Sequence, residues 1–160
     1  MKAKILLLFF CLLIFTLTVF AQSKEAVKID EFESVSCDDY LARMDNVFIT
    51  QKNNQNSKIY VFIYEGKIKQ DVQDKNYNTI GYKEVLPAYG EVNARISTMK
   101  KRISLSNSLE NFVFVKGGFR KIYSTEFWLI PNGAIPPKPT PTLPKLNYRK
   151  GKARGFCWSM

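Results

Sequence analysis

In the stretch "VKGGFRK" (115–121), Lys116, Arg120 and Lys121 surround Gly117 and Gly118. Guanidinium and ammonium groups form charge-assisted hydrogen bonds with carboxylates and phosphates. Glycine reaches positive φ without strain and can turn its N–H towards an anion. These residue types suit holding an anion better than breaking a bond. The competing reading is a tight Gly-Gly turn between two strands with solvated charges. Other chemistries lack their parts. Histidine, the commonest general base and metal ligand, does not occur in the chain. Cys37 and Cys157 cannot make a zinc site unaided, and there is no phosphate-cradling glycine loop or nucleophile elbow. Neither cofactor nor metal is therefore expected. Glu65 and Asp71 follow a predicted strand end, so a secreted carboxylate-dependent hydrolase is the alternative to a binding module.

The elements that must position these residues follow from periodicity. "AVKIDEF" (26–32) alternates weakly and reads as a first strand. Ser36 with Asp39 three residues on is a capping box, and Asp38 and Asp39 suit a helix N-terminus. Leu41, Met44, Val47 and Phe48 continue as one helical stripe. "KIYVFIYEG" is apolar on both faces and reads as a central strand. Residues 66–89 read as a long polar loop, with at most a short strand near Ile80. Val92, Ile96, Met99 and Ile103 form the stripe of a second helix. Residues 112–116 and 125–130 read as two strands joined through the Gly-Gly turn. The expected fold is α+β, a two-layer β-α-β-α-β-β domain with a mixed sheet.

The ends differ from the middle. Lys2 and Lys4, an apolar run to Phe20, and Val19-Phe20-Ala21 before Gln22 predict a signal peptide over 1–21. Export implies an oxidising compartment, where a Cys37–Cys157 disulfide can form. The domain is expected over 22–135 and a Pro-rich basic tail over 136–160. Between 22 and 135 the chain carries sixteen bases against fourteen acids. After Ile135 it carries Lys138, Lys145, Arg149, Lys150, Lys152 and Arg154 and no acid. "PPKPTPTLP" favours extended polyproline geometry. Such a tail predicts an anionic partner. Outside the cytoplasm that means an anionic membrane surface, a phosphorylated polysaccharide or wall carboxylates, and not nucleic acid.

The element order resembles the C-terminal domain family of OmpA-like proteins, which bind peptidoglycan non-covalently. Met44-Asp45 is similar to the Leu-Asp pair of that family's first helix. "RISTMKKRI" sets Arg95, Ile96, Met99 and Ile103 at the spacing of its second helix. The resemblance implies a non-enzymatic cell-envelope binding or scaffold module, with Arg95 receiving a carboxylate of the wall peptide. The chain is also similar to exported bacterial proteins that share an A-R-x-D-N helix (42–46 here), an E-x-W-x-x-P strand (126–131) and a Pro/Thr tail.

One site follows from this reading. The strand at 58–65, the second helix and the strand at 112–116 form a βαβ unit with parallel strands. Ligands of open α/β sheets bind at the carboxyl ends of such strands. Arg95, Gly117, Gly118 and Arg120 are therefore expected to line a single shallow anion site.

Overall fold

The central feature is a 17-residue strand whose sequence is apolar on both faces. In the computed structural model, which describes residues 25–106, 109–153 and 157, this strand is β2 (Ser57–Gln73). The other elements are β1 (Val27–Phe32), α1 (Cys37–Asn53), β3 (Thr79–Val85), α2 (Glu91–Ser106), a short 3-10 turn (Leu109–Asn111), β4 (Phe112–Ile122) and β5 (Ser124–Pro131). The predicted signal peptide lies outside the described residues.

The fold is α+β with a mixed five-stranded sheet. The first half of β2 lies between β5, antiparallel, and β4, parallel. β1 pairs antiparallel with β5 at one edge. The second half of β2 pairs antiparallel with β3. This hairpin corrects the expected loop over 66–89. Asp74 replaces glycine chemistry at its turn, accepting from the N–H groups of Asn76 and Asn78, both at 2.8 Å. Those bonds hold its carboxyl below the usual range, the Asn78 backbone N–H contributing most.

Both helices cover one face, here called inner. Ser36 caps α1 as predicted, its Oγ accepting from the Asp39 N–H at 3.2 Å, while the Asp39 carboxylate pairs with Arg43 instead of completing a capping box. Met44, Val47 and Phe48 of α1 and Val92, Met99 and Ile103 of α2 meet Ile59, Val61 and Ile63 of β2 in one buried cluster. The alternate β2 residues Tyr60, Phe62 and Tyr64 point to the outer face, as strand geometry requires. Phe62 and Tyr64 are nonetheless 2% and 0% exposed. Tyr64 is covered by the proline-rich tail, which crosses the outer face as a strap. Thr140 lies over Tyr64, Thr142 and Leu143 donate N–H bonds to the Phe119 carbonyl, and the Arg149 N–H donates to the Pro87 carbonyl. The strap thus supplies the third layer that an apolar two-faced strand demands. Among the described residues no helix is long and apolar enough to cross a membrane.

Candidate functional site

The stretch "KGGFRK" is not a turn. β4 runs through it, and the reversal falls at Tyr123 between β4 and β5. The glycines instead make a β-bulge. Ile63 pairs with Lys116, but Tyr64 pairs with Gly118, leaving Gly117 as the extra residue. A one-residue slip moves every later side chain to the opposite face. Phe112 and Phe114, before the bulge, pack on the inner core. Arg120, also even-numbered but beyond the bulge, lies on the outer face against Tyr64. Glycine is required here for space: a Cβ on Gly117 would fall 2.5 Å from the Tyr64 ring. Gly118 has φ +90° and faces Pro141 of the strap.

Arg120 is the hub of the outer face. Its guanidinium carbon sits 3.5 Å from the Tyr64 ring centroid. Nη1 donates to Glu31 Oε1 at 2.9 Å and Ser124 Oγ at 3.0 Å. Nη2 donates to Glu126 Oε1 and Thr140 Oγ1, both at 2.6 Å. Nε donates to the Thr140 carbonyl at 3.2 Å. A guanidinium has five N–H donors, and here each has an acceptor. One side chain thereby joins β1, β4, β5 and the strap while stacking on β2.

The charges around it alternate. Glu31 and Glu126 are cross-strand partners on β1 and β5, an arrangement that repels without a cation between them. Arg120 supplies one. Lys28 supplies another, donating to Glu31 Oε2 at 2.7 Å and lying 3.6 Å from Glu126 Oε1. Glu126, 4% exposed, also accepts from Trp128 Nε1 at 2.9 Å. The Lys28 bond, joined by the one from Arg120, holds the Glu31 carboxyl below its ordinary range despite partial burial. The same bond raises the Lys28 pKa. Burial works against the Arg120 charge, but the bonds to Glu126 and then Glu31 outweigh it.

Arg95 is elsewhere. It is 5% exposed on the inner face, with its guanidinium carbon 4.1 Å from the Tyr123 ring centroid. Its Nη2 lies 3.4 Å from Glu91 Oε1, one helical turn earlier. Glu91 in turn accepts the Ala88 N–H at 2.8 Å and lies 3.7 Å from Arg149 Nη2. The expected single anion site is therefore not assembled. Gly117, Gly118 and Arg120 come together at the outer face, and Arg95 lies across the sheet from them. Both arginines are turned towards internal carboxylates because burying an unpaired guanidinium is costly.

Cys37 and Cys157 are bonded, with Cα atoms 5.5 Å apart across a sequence separation of 120. The bond ties the far end of the strap to the first turn of α1. Glu65 accepts from Tyr148 of the strap at 2.6 Å. Burial first, and then this carboxylate, push the Tyr148 hydroxyl up to about 12. Asp71 is exposed on the hairpin opposite Tyr82. Six residues of strand separate the two carboxylates by about 20 Å. That is too far for two carboxyl groups to act on one bond in the manner of a paired-acid hydrolase, which sets them ~5–10 Å apart. Among the described residues no group of three potential ligands could hold a metal ion.

The remaining cations of the strap are differently placed. Lys138, Lys145, Lys150 and Lys152 are all exposed. No described carboxylate pairs with any of them. Arg154, Phe156 and Trp158 of the expected basic-aromatic tail lie outside the described residues. Comparison with known proteins finds no matching family model, no similar curated protein and no similar solved structure.

Sequence reasoning missed Glu31, Glu126, Lys28 and Thr140 as parts of the Arg120 cluster. One signal was available. Glu126 directly precedes the apolar run "FWLI" of a strand, and a carboxylate at such a position needs a buried cation.

Proposed function

We propose that this chain is a cell-envelope binding or scaffold module that engages an anionic envelope component, peptidoglycan foremost, through the lysines of its strap. The carrying observation is the placement of Lys138, Lys145, Lys150 and Lys152, exposed and without carboxylate partners on a segment latched to a folded domain. Latching matters because a fixed row of charges loses less conformational entropy on binding than a free tail does. The arginines play the opposite part in this reading. Arg120 and Arg95 neutralise internal carboxylates, and the net positive charge is left to the strap. The order of elements that resembles OmpA-like domains agrees with a wall-associated role, and the wall peptide offers carboxylates to these lysines. An anionic membrane surface offers the same chemistry.

The test is co-sedimentation of the exported chain with purified sacculi and, separately, with vesicles containing anionic lipid, across a salt series. A polybasic segment gains about 1 kcal/mol per base at an anionic surface, screened by salt. Replacing all four lysines with glutamine should weaken sacculus binding by at least about tenfold at low salt. Equal binding by wild type and variant would refute the strap as the contact. Binding to vesicles but not to sacculi would move the partner from wall to membrane.

A further inference from the structure

The outer face reads Thr140 in full. Its N–H donates to Tyr64 OH at 3.1 Å, its carbonyl accepts from Arg120 Nε at 3.2 Å, and its hydroxyl accepts from Arg120 Nη2 at 2.6 Å. Pro139 and Pro141 flank it, and Pro141 faces the positive-φ Gly118. This is an extended Pro-Thr-Pro segment held at a tyrosine hydroxyl and a ring-stacked guanidinium, with every polar group of the central residue hydrogen-bonded. Recognition of proline-rich segments works this way: the ligand is already extended, so little entropy is lost, and a few polar groups set the register.

We propose that this groove is a receptor for extended Pro-Thr-Pro segments, and that its partner in trans is the strap of a second copy of this chain. Three observations support a second copy. The segment seen to fit the groove belongs to this chain, so each copy carries both receptor and ligand. The strap has no strand or helix of its own across 136–142, so its contacts with the groove would be the same from either copy. The connecting residues Asn132, Gly133 and Ile135 are exposed, Ile135 at 86%. Their conformation is what must differ between closed and exchanged forms. Exchange of identical elements is a low-cost route to a dimer. In the isolated chain the strap meets its own groove at an effective concentration of order mM, so exchange competes only at high local concentration.

Two full exported chains, kept under reducing agent so that the strap can leave, provide the test. One carries Thr140→Val, leaving the groove intact and impairing the strap. The other carries Arg120→Gln, leaving the strap intact and impairing the groove. Mixed at hundreds of micromolar, they should form a one-to-one complex in sedimentation velocity, at least tenfold tighter than either self-associates. A mixture that sediments as two monomers, with both chains folded by near-ultraviolet circular dichroism, overturns the proposal. Should Arg120→Gln fail to fold, a synthetic peptide of residues 135–144 replaces it as strap donor to the Thr140→Val chain. That peptide should bind, and its own Thr140→Val version should bind at least tenfold more weakly. No difference between the peptides overturns the receptor. Peptide binding without any chain–chain complex from two folded variants overturns the second copy as partner.

Discussion

The two faces of the sheet each bury an arginine stacked on a tyrosine and paired with a glutamate, yet they do so for different ends. On the inner face Arg95 lies over Tyr123 and pairs with Glu91 of its own helix. The surrounding cover is two amphipathic helices with ordinary apolar stripes. On the outer face Arg120 lies over Tyr64 and ties three further segments to its own strand. There the cover is a strap without regular structure across its proline-rich part, whose own backbone hydrogen bonds cannot hold it in place. The difference teaches where directional polar contacts are needed. A helix brings its own hydrogen bonds and needs only apolar burial to dock. An irregular proline-rich segment must be fixed by bonds to the domain.

The comparison should break most visibly at the two arginines. Arg120→Met removes the cation from two carboxylates, one of them deeply buried. It should cost about 3–5 kcal/mol, since it breaks a buried pair and leaves Glu126 to Trp128 Nε1, the Tyr64 hydroxyl and the longer Lys28 contact. Arg95→Met should cost less, about 1–3 kcal/mol, because Glu91 keeps the Ala88 N–H and Arg149. Urea denaturation of both variants checks the order, and an equal or reversed pair would remove the distinction drawn between the faces. Arg120→Lys should not rescue the outer face, since an ammonium lacks the planar five-donor fork.

The disulfide joins the two systems, tying the far end of the strap to the first turn of α1. Cys157→Ser should lower stability by about 2–4 kcal/mol in the chain-entropy view. Amide exchange should then quicken in the strap from Lys145 onwards, while the inner cluster keeps its protection. Uniform loss of protection in both layers would mean that the strap and the helices unfold as one unit.

A Cβ at the bulge tests the same face from inside. Gly117→Ala presses on the Tyr64 ring, which also carries the Arg120 guanidinium, and should cost about 1–3 kcal/mol as an overpacking change. Gly81→Ala, on the hairpin, meets nothing within 4 Å and should leave stability within about 0.5 kcal/mol. Thermal denaturation distinguishes the two.

The smallest effect is in acid. Glu31 has its pKa lowered on folding, so its contribution is present above the ordinary glutamate range and is lost as pH falls through the depressed folded value. Strap protection in amide exchange should decline in that acid window before the inner core does. Lys28, raised on folding, loses its contribution only at strongly alkaline pH, as pH climbs through its folded value. A Glu31→Gln variant should flatten the acid limb, and an unchanged limb would assign that limb to other carboxylates.

Much of the fold was legible from local patterns. The Ser36 cap, the 3.6-residue stripes of both helices and the two-sided apolar run of β2 depend on residues within a few positions of one another, and all three stand as predicted. Arg95 lies three residues from Val92 and four from Met99 on the buried stripe of α2, so even its burial could be read from spacing. Three things could not. The β2–β3 hairpin is polar and exposed, without the apolar alternation that marks a strand. Gly117-Gly118 has the same composition in a turn as in a bulge. Only pairing with β2, about 50 residues away in sequence, decides which, and with it the face on which Arg120 emerges. The strap likewise has no periodicity that marks it as a layer. Its sequence settles that it is extended and basic. That it covers Tyr64 depends on Arg120, Glu31, Glu126 and Cys37, brought together from four separate segments. Local propensity determined the two helices and the apolar strand segments of this protein. Long-range register and the need to satisfy buried charge decided what those elements enclose.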